Sequence, residues 1–300
     1  MEARRVPSQN ASMRRICFLV LAAGPMLMGA SITSSSDATT LMNSMLGSGI
    51  TVTSAPVYTG GNGQAGTFTN GSGDIGLSSG MVLSSGFVSM ISSSNNTNPT
   101  ETLSGGGEMD NLSGMLLTPG DSSLDTLAAG PTYDAASLAF NFQFGDGSVG
   151  GDLNMNFVFA SEEYINWVFS EYNDVMGIFV DGVNIATVGG NPVMVNTINP
   201  VNNSSLYINN VANTNGYSVA GLDIKFDGLT TVLSAQALGL SAGTHSLKIA
   251  VADVGDNVLD SAVFVNMVGT LPPDPVPEPA TLSLVGLGLI ALGSWRRFKK

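Results

Sequence analysis

The 300-residue chain carries a formal charge of -13, is only 11% charged and 43% hydrophobic, and contains 37 glycines and a single cysteine. Eight of its ten basic residues lie in the first 15 or last five positions, so between Ser31 and Thr270 only Lys225 and Lys248 stand against 20 Asp and Glu residues. Such a body repels nucleic-acid phosphates and anionic lipid head groups, which excludes a nucleic-acid partner and leaves divalent cations and neutral or cationic partners.

Residues 1–30 read as a secretory signal peptide. Arg4, Arg5, Arg14 and Arg15 precede an apolar stretch, Ile16 to Ala30, with small residues at a cut after Ala30. The stretch falls short of the ~20 residues that span a bilayer, and Gly24 and Pro25 interrupt it. Signal peptidase is the expected processing partner. Cys17 would be lost with the leader, which excludes disulfides, thiol catalysis and cysteine metal sites from the remainder.

One helix is predicted, from Asp37 as cap to Leu46, with Leu41, Met42, Met45 and Leu46 as its apolar face. Gly60 to Gly80 and Ser92 to Gly107 are rich in Gly, Ser and Asn and read as long loops. Leu138, Phe140, Phe142 and Phe144 then alternate with Ala139, Asn141 and Gln143, the pattern of a half-buried strand. Leu153, Met155, Phe157 and Phe159 repeat it after a Gly-rich turn, so the two runs are expected to form a hairpin. Asp181-Gly182, between Gly177–Val180 and Val183–Val188, is a two-residue hairpin turn. Ser246 to Ala252 and Ala262 to Val268 make a further expected pair. The whole predicts an all-β fold, a two-layer β-sandwich or jelly-roll with one short N-terminal helix, forming one domain over residues 31–270.

Carboxylates gather where strands end. Glu162 and Glu163 follow one strand, Asn173 and Asp174 open another, and Asp253, Asp256 and Asp260 share a loop between two more. Calcium takes six to eight oxygen ligands and tolerates irregular loops, so it is the candidate cofactor, with these seven residues as candidate metal ligands. No EF-hand spacing is present. The competing reading is that the Asp side chains cap their own turns. Beside them, Tyr164, Trp167 and Tyr172 are candidate glycan contacts. Glu162 and Glu163 are neighbours on one strand and point to opposite faces, unlike a cooperating glycosidase pair. His245, the only histidine, has no motif around it that suggests a base or a ligand.

The chain closes with a Pro-rich linker, residues 271–279, an apolar run from Ala280 to Trp295, and Arg296, Arg297, Lys299 and Lys300. A basic end after a short span stays in the cytoplasm, so the domain before it lies outside the inner membrane, and residues 280–300 are the only membrane contact. Pro277-Glu278-Pro279, the span and the basic end, with Arg296 and Arg297, resemble the PEP-CTERM sorting signal of Gram-negative bacteria. The resemblance implies an exosortase that removes the tail, and an association with exopolysaccharide and biofilm matrix.

The body resembles the choice-of-anchor L domain, a bacterial surface family whose members end in different anchoring signals. Gly76-Leu-Ser-Ser-Gly-Met-Val-Leu-Ser84, Tyr133-Asp134-Ala135, Phe157-Val-Phe-Ala-Ser-Glu-Glu-Tyr164, Asn173-Asp174, Asp227-Gly228 and Ala250-Val-Ala-Asp253 through Asp260-Ser-Ala-Val-Phe264 carry the likeness. It implies an exported, non-enzymatic protein of the cell surface. A stable shell with a sorting tail is all that a structural or adhesive protein of the cell surface or extracellular matrix needs, and that is the first reading. A calcium-dependent carbohydrate-binding module is the alternative reading, and a secreted glycan hydrolase the third.

Overall fold

The computed structural model describes residues 29–92, 113–211 and 217–270. The expected signal peptide up to Met28, most of the Ser92–Gly107 loop, and the whole sorting tail with Pro277, Glu278, Pro279, Arg296 and Arg297 lie outside the described residues. Among those described, no helix is long and apolar enough to cross a membrane.

Two α-helices and sixteen strands are seen among the described residues. The strands, in chain order, are β1 (Ser31–Ser34), β2 (Ile50–Val52), β3 (Val57–Thr59), β4 (Ala65–Thr69), β5 (Ser79–Ser84), β6 (Thr132–Phe144), β7 (Gly151–Ser161), β8 (Val175–Val180), β9 (Val183–Asn184), β10 (Thr187–Val188), β11 (Asn191–Pro192), β12 (Tyr207–Asn209), β13 (Gly228–Thr230), β14 (Leu233–Leu240), β15 (His245–Val254) and β16 (Ser261–Thr270). An eight-stranded sheet runs β1-β4-β5-β16-β7-β13-β12, with β14 beside β13 along the same edge of β7. A six-stranded sheet runs β2-β6-β15-β8-β9, with β3 also on β6, and β10 and β11 form a small ribbon. The fold is an all-β sandwich, as the alternation implied.

The alternating runs fill the space between the sheets. Leu138, Phe142 and Phe144 from β6 meet Leu153, Met155, Phe157 and Phe159 from β7 in one buried cluster. That geometry corrects the expected β6–β7 hairpin. β6 pairs with β15 and β7 with β16, so the Gly145–Gly150 turn carries the chain from one sheet to the other. The same holds for β15 and β16, which belong to different sheets and do not pair with each other. Two strands with matching apolar faces can be neighbours in one sheet or face each other across a core, and here the larger burial comes from facing.

Each sheet is also covered on its outer face. Phe68, Val82, Val158, Ala160, Phe226 and Phe264 form a second cluster outside the larger sheet, so the end of β7 is buried on both sides. Outside the smaller sheet, Leu124 packs with Ala135, Val175, Phe179 and Ala250. Leu124 belongs to α2 (Ser122–Ala128), a helix absent from the sequence reading, capped by Asp121 through the backbone N–H groups of Ser123 and Leu124. Lys248 Nζ reaches the same carboxylate at 2.6 Å, tying the helix to β15. The predicted helix is α1 (Ala38–Met45), with Thr40 N–H bonded to Asp37 at 2.9 Å and Leu41, Met42 and Met45 buried. β4 occupies part of the stretch read as a long loop, paired between β1 and β5. The Asp181-Gly182 turn joins β8 to β9 with φ of 51° and 79°, the left-handed pair a type I′ hairpin requires.

Candidate functional site

Antiparallel pairing places six strand ends at one pole of the sandwich. The end of β5, the end of β7 and the start of β16 come from the larger sheet. The start of β6, the end of β15 and the start of β8 come from the smaller one. Their terminal residues include Asp134, Glu162, Glu163, Asp174, Asp253 and Asp260, all buried. The two acidic segments of the sequence therefore meet, and Asp134 adds a carboxylate that sequence reasoning did not single out.

Three of these carboxylates are held by protein donors. Asp174 accepts Val254 N–H at 2.9 Å and the Ser261 hydroxyl at 2.6 Å, which joins the two sheets. Asp260 takes Gly114 N–H on both oxygens, at 2.9 and 3.0 Å. Asp134 accepts from Leu116 N–H and from the backbone and hydroxyl of Thr118. Around them a polar frame closes: Gln64 donates to the carbonyls of Ser85 and Asp134, each at 2.7 Å, and Ser85 exchanges bonds with Ser261. A Cβ on Gly86 would lie 1.6 Å from Asp260 Oδ2, so glycine is required where the carboxylate folds over the chain.

Asp253 and Glu163 differ from that trio. Asp253 is 1% exposed, and neither of its carboxylate oxygens has a hydrogen-bond partner. It continues the inward alternation of Leu247, Ile249 and Val251, opposite a bulge whose extra residue lies in β6, which aims it between the sheets. The Ser85 hydroxyl lies close enough to offset part of the cost, but it is already engaged with Ser261 and sits outside bonding geometry to Asp253. Glu163 is 2% exposed, and its Oε2 also lacks a partner.

Burial and mutual repulsion raise the proton affinity of the group. Burial first, then the Asp174 and Asp256 charges, push the Glu163 carboxyl up to about 10. Asp174 is pushed up to about 7 by burial, against the pull of its Ser261 and Val254 donors. Asp260 rises to about 6 for the same reason, and burial beside Asp174 takes Asp253 well above the carboxyl range. The two ion pairs among the described residues, Lys248–Asp121 and His245–Asp181, include none of these side chains.

The remaining expected site residues lie elsewhere or at the rim. Asp256 is half-exposed and accepts Val258 N–H at 3.0 Å, a turn cap whose charge still reaches Glu163 and Asp174. Asn173 is not brought into the pole: its side-chain oxygen accepts Asn196 N–H at 2.8 Å, binding β8 to the 194–196 segment. Tyr164 is a correction. It is fully buried against Tyr207, with ring centroids 4.9 Å apart, because its ring closes the end of the core, so it offers no surface to a glycan. Trp167, 42% exposed, stands edge-on to Tyr172 at 5.1 Å. Tyr172 in turn lies against Gly255 in the acidic loop. Among the described residues, no three His, Asp or Glu side chains stand in the arrangement of a ready-made metal site.

At the opposite pole His245 bonds Asp181 through Nδ1 at 2.7 Å and the Ser241 carbonyl through Nε2 at 3.0 Å. With acceptors on both nitrogens, the ring has no free lone pair to serve as a general base.

Two family models match. The PEP-CTERM protein-sorting motif covers residues 275–297, which marks the protein for export and exosortase processing. No curated protein and no solved structure matches the chain at a significant level. The choice-of-anchor L domain model covers residues 31–269, both sheets and the acidic pole included, and the chain belongs to that family.

Proposed function

We propose that this protein is a non-catalytic component of the cell surface or extracellular matrix, structural or adhesive, released to its site by exosortase. The observation that carries the reading is the division of the chain: a sandwich buried on three layers is joined directly to a sorting tail. Such a shell needs rigidity and export, and the conserved chemistry of a hydrolase has no place in the arrangement around His245. Signal peptidase and exosortase act on its two ends, and exopolysaccharide is the proposed matrix partner.

The test is mass spectrometry of the protein recovered from the surface fraction of exosortase-positive and exosortase-negative cells, with matrix retention measured alongside. The expected outcome is loss of the peptide ending at Lys300 and retention in the matrix only where exosortase is present. An intact Lys300 terminus in that fraction would contradict the processing step.

A second reading, calcium-dependent carbohydrate binding, is favoured by one observation. Exposed Trp167 stands edge-on to the half-buried Tyr172 beside the acidic loop, the combination of ring faces and polar groups that sugar recognition uses. Retention on exopolysaccharide that Trp167→Ala abolishes would favour this reading over a purely structural one.

A further inference from the structure

We propose that the loop after β7 and the segment from β11 to Asn203 form one binding surface for a neutral polysaccharide, with Phe169 as the ring that meets a sugar face and the carboxamides of Asn191, Asn202 and Asn203 as partners for its hydroxyl groups. This rests on the matrix role above and names the ligand class for it.

The amide segment is built before any ligand arrives. Asn199, fully buried, donates to the carbonyls of Val195 and Asn196, each at 3.1 Å, and accepts the N–H groups of Val201 at 2.9 Å and Asn202 at 2.8 Å, so one side chain closes the loop. Asn202 then donates through Nδ2 to the Asn196 carbonyl at 3.0 Å, and Asn203 to the Thr197 carbonyl at 2.8 Å. Both residues are exposed, so one donor orients each amide while its oxygen and second N–H stay open to a hydroxyl group. With Asn191, Thr197, Val201 and the buried Met194 they line a cleft of about 520 Å³. Carboxamides already fixed by the loop lose little freedom on binding.

Phe169 supplies the independent observation. It is 58% exposed and sits at a φ of 67°, in the left-handed region where a bulky side chain is strained. Glycine would serve that turn at less cost, so the backbone strain and the exposed ring together point to a use for the ring. Asn196, which also lines the cleft, fastens this backbone in place: its Oδ1 accepts Phe169 N–H and its Nδ2 donates to the Ser170 carbonyl at 3.3 Å. The ring-bearing loop and the amide loop are therefore one surface, with Trp167 exposed two residues before Phe169. Rings beside open amides match the C–H face and the hydroxyl edge of a sugar. Residues 162–173 and 191–203 contain no Lys or Arg, and Glu171 is exposed, so the surface repels an anionic chain and admits a neutral one.

The experiment is retention of the full chain, in buffer containing chelator, on cellulose, cross-linked dextran and cross-linked galactomannan, with cross-linked polygalacturonate beside them. Retention is expected on at least one of the neutral matrices and not on polygalacturonate. Phe169→Gly should weaken that retention by about tenfold or more. Its thermal midpoint should hold or rise, because glycine accepts the left-handed backbone; a ring with a merely structural role would lower the midpoint instead. Asn191→Ala should weaken retention by about threefold or more. Leu238→Ala, exposed on β14 at the far pole, should leave it unchanged. No retention on any neutral matrix would overturn the proposal, as would retention that Phe169→Gly leaves intact or retention on polygalacturonate alone. These outcomes are read apart from the Lys300 terminus and matrix retention in cells, so failure here is distinguishable from failure of the matrix role.

Discussion

The two poles of the sandwich solve the same problem in opposite ways. At the pole where β8 turns into β9, Asp181 is half-exposed, meets His245 at 2.7 Å and also receives Ser246 N–H at 2.8 Å, so every charge has an answer. At the other pole, Asp253 and Glu163 are buried with oxygens that nothing answers. Water would have solvated those carboxylates in the unfolded chain, and removing it costs several kcal/mol for an unpaired ion, however good the surrounding packing. The chain limits that cost by keeping the proton on these carboxyls, which burial holds above their ordinary range. The difference teaches that the count of acidic residues is a poor guide to function; their hydrogen bonds separate a turn cap from a buried carboxyl that nothing answers.

The largest effect should come from breaking the frame of the acidic pole. Gly86→Ala puts a methyl group 1.6 Å from Asp260 Oδ2, so either the carboxylate leaves Gly114 or the Ser84–Gly86 chain shifts. A loss of about 3 kcal/mol is expected, read by urea unfolding. An unchanged midpoint would show that the Asp260 contact is slack.

Acid and base should next act on the two poles with different signs. Glu163, Asp174, Asp253 and Asp260 hold protons more tightly folded than unfolded. Their share of the stability is complete below the ordinary carboxyl range and is lost as pH rises, through about 6 for Asp260, about 7 for Asp174 and about 10 for Glu163. Asp181 runs the other way. Its carboxyl is held below the ordinary range because the His245 and Ser246 bonds outweigh burial, so its share is present above that range and lost as pH falls. His245 is held above its usual value, the Ser241 carbonyl and Asp181 outweighing burial, and its share is lost as pH rises through the raised value. Metal-free protein should therefore melt at a lower temperature at pH 8 than at pH 5. A midpoint that climbs steadily from pH 5 to 8 without metal would contradict the burial of the carboxylates.

Much of this was legible in the residues, for reasons that also mark its limits. The period-two runs of β6 and β7 and the Asp181-Gly182 turn report one buried face and one tight reversal, both local properties. Which sheet each strand joins is not local, and the alternation of Phe142 or Phe157 is the same whether its partner is beside it or across the core. α2 escaped because seven residues give too few turns for a helical period, although Asp121 was a usable cap signal. Carboxylate density found Glu163, Asp174, Asp253 and Asp260, but Asn173 was drawn in by adjacency alone. Gln64, Ser85 and Gly86 act through backbone contacts between segments far apart in the chain, for which one sequence carries no signal. Tyr164 was misread because an aromatic beside two glutamates has the composition of a binding edge whether its ring points out or, as here, in.

The most direct test of the contrast between the poles is the unfolding free energy of metal-free Asp253→Asn and Asp181→Asn at pH 8, each against the parent chain. Asp253→Asn should stabilise, by about 1–3 kcal/mol, because at pH 8 the parent's Asp253 carboxyl, ionised in the unfolded chain, must take up a proton to be buried, and the amide need not. Asp181→Asn should destabilise by no more than about 1 kcal/mol, because it weakens an answered but half-exposed pair. Shifts of the same sign at both positions would contradict the account, since the two aspartates would then be doing the same work.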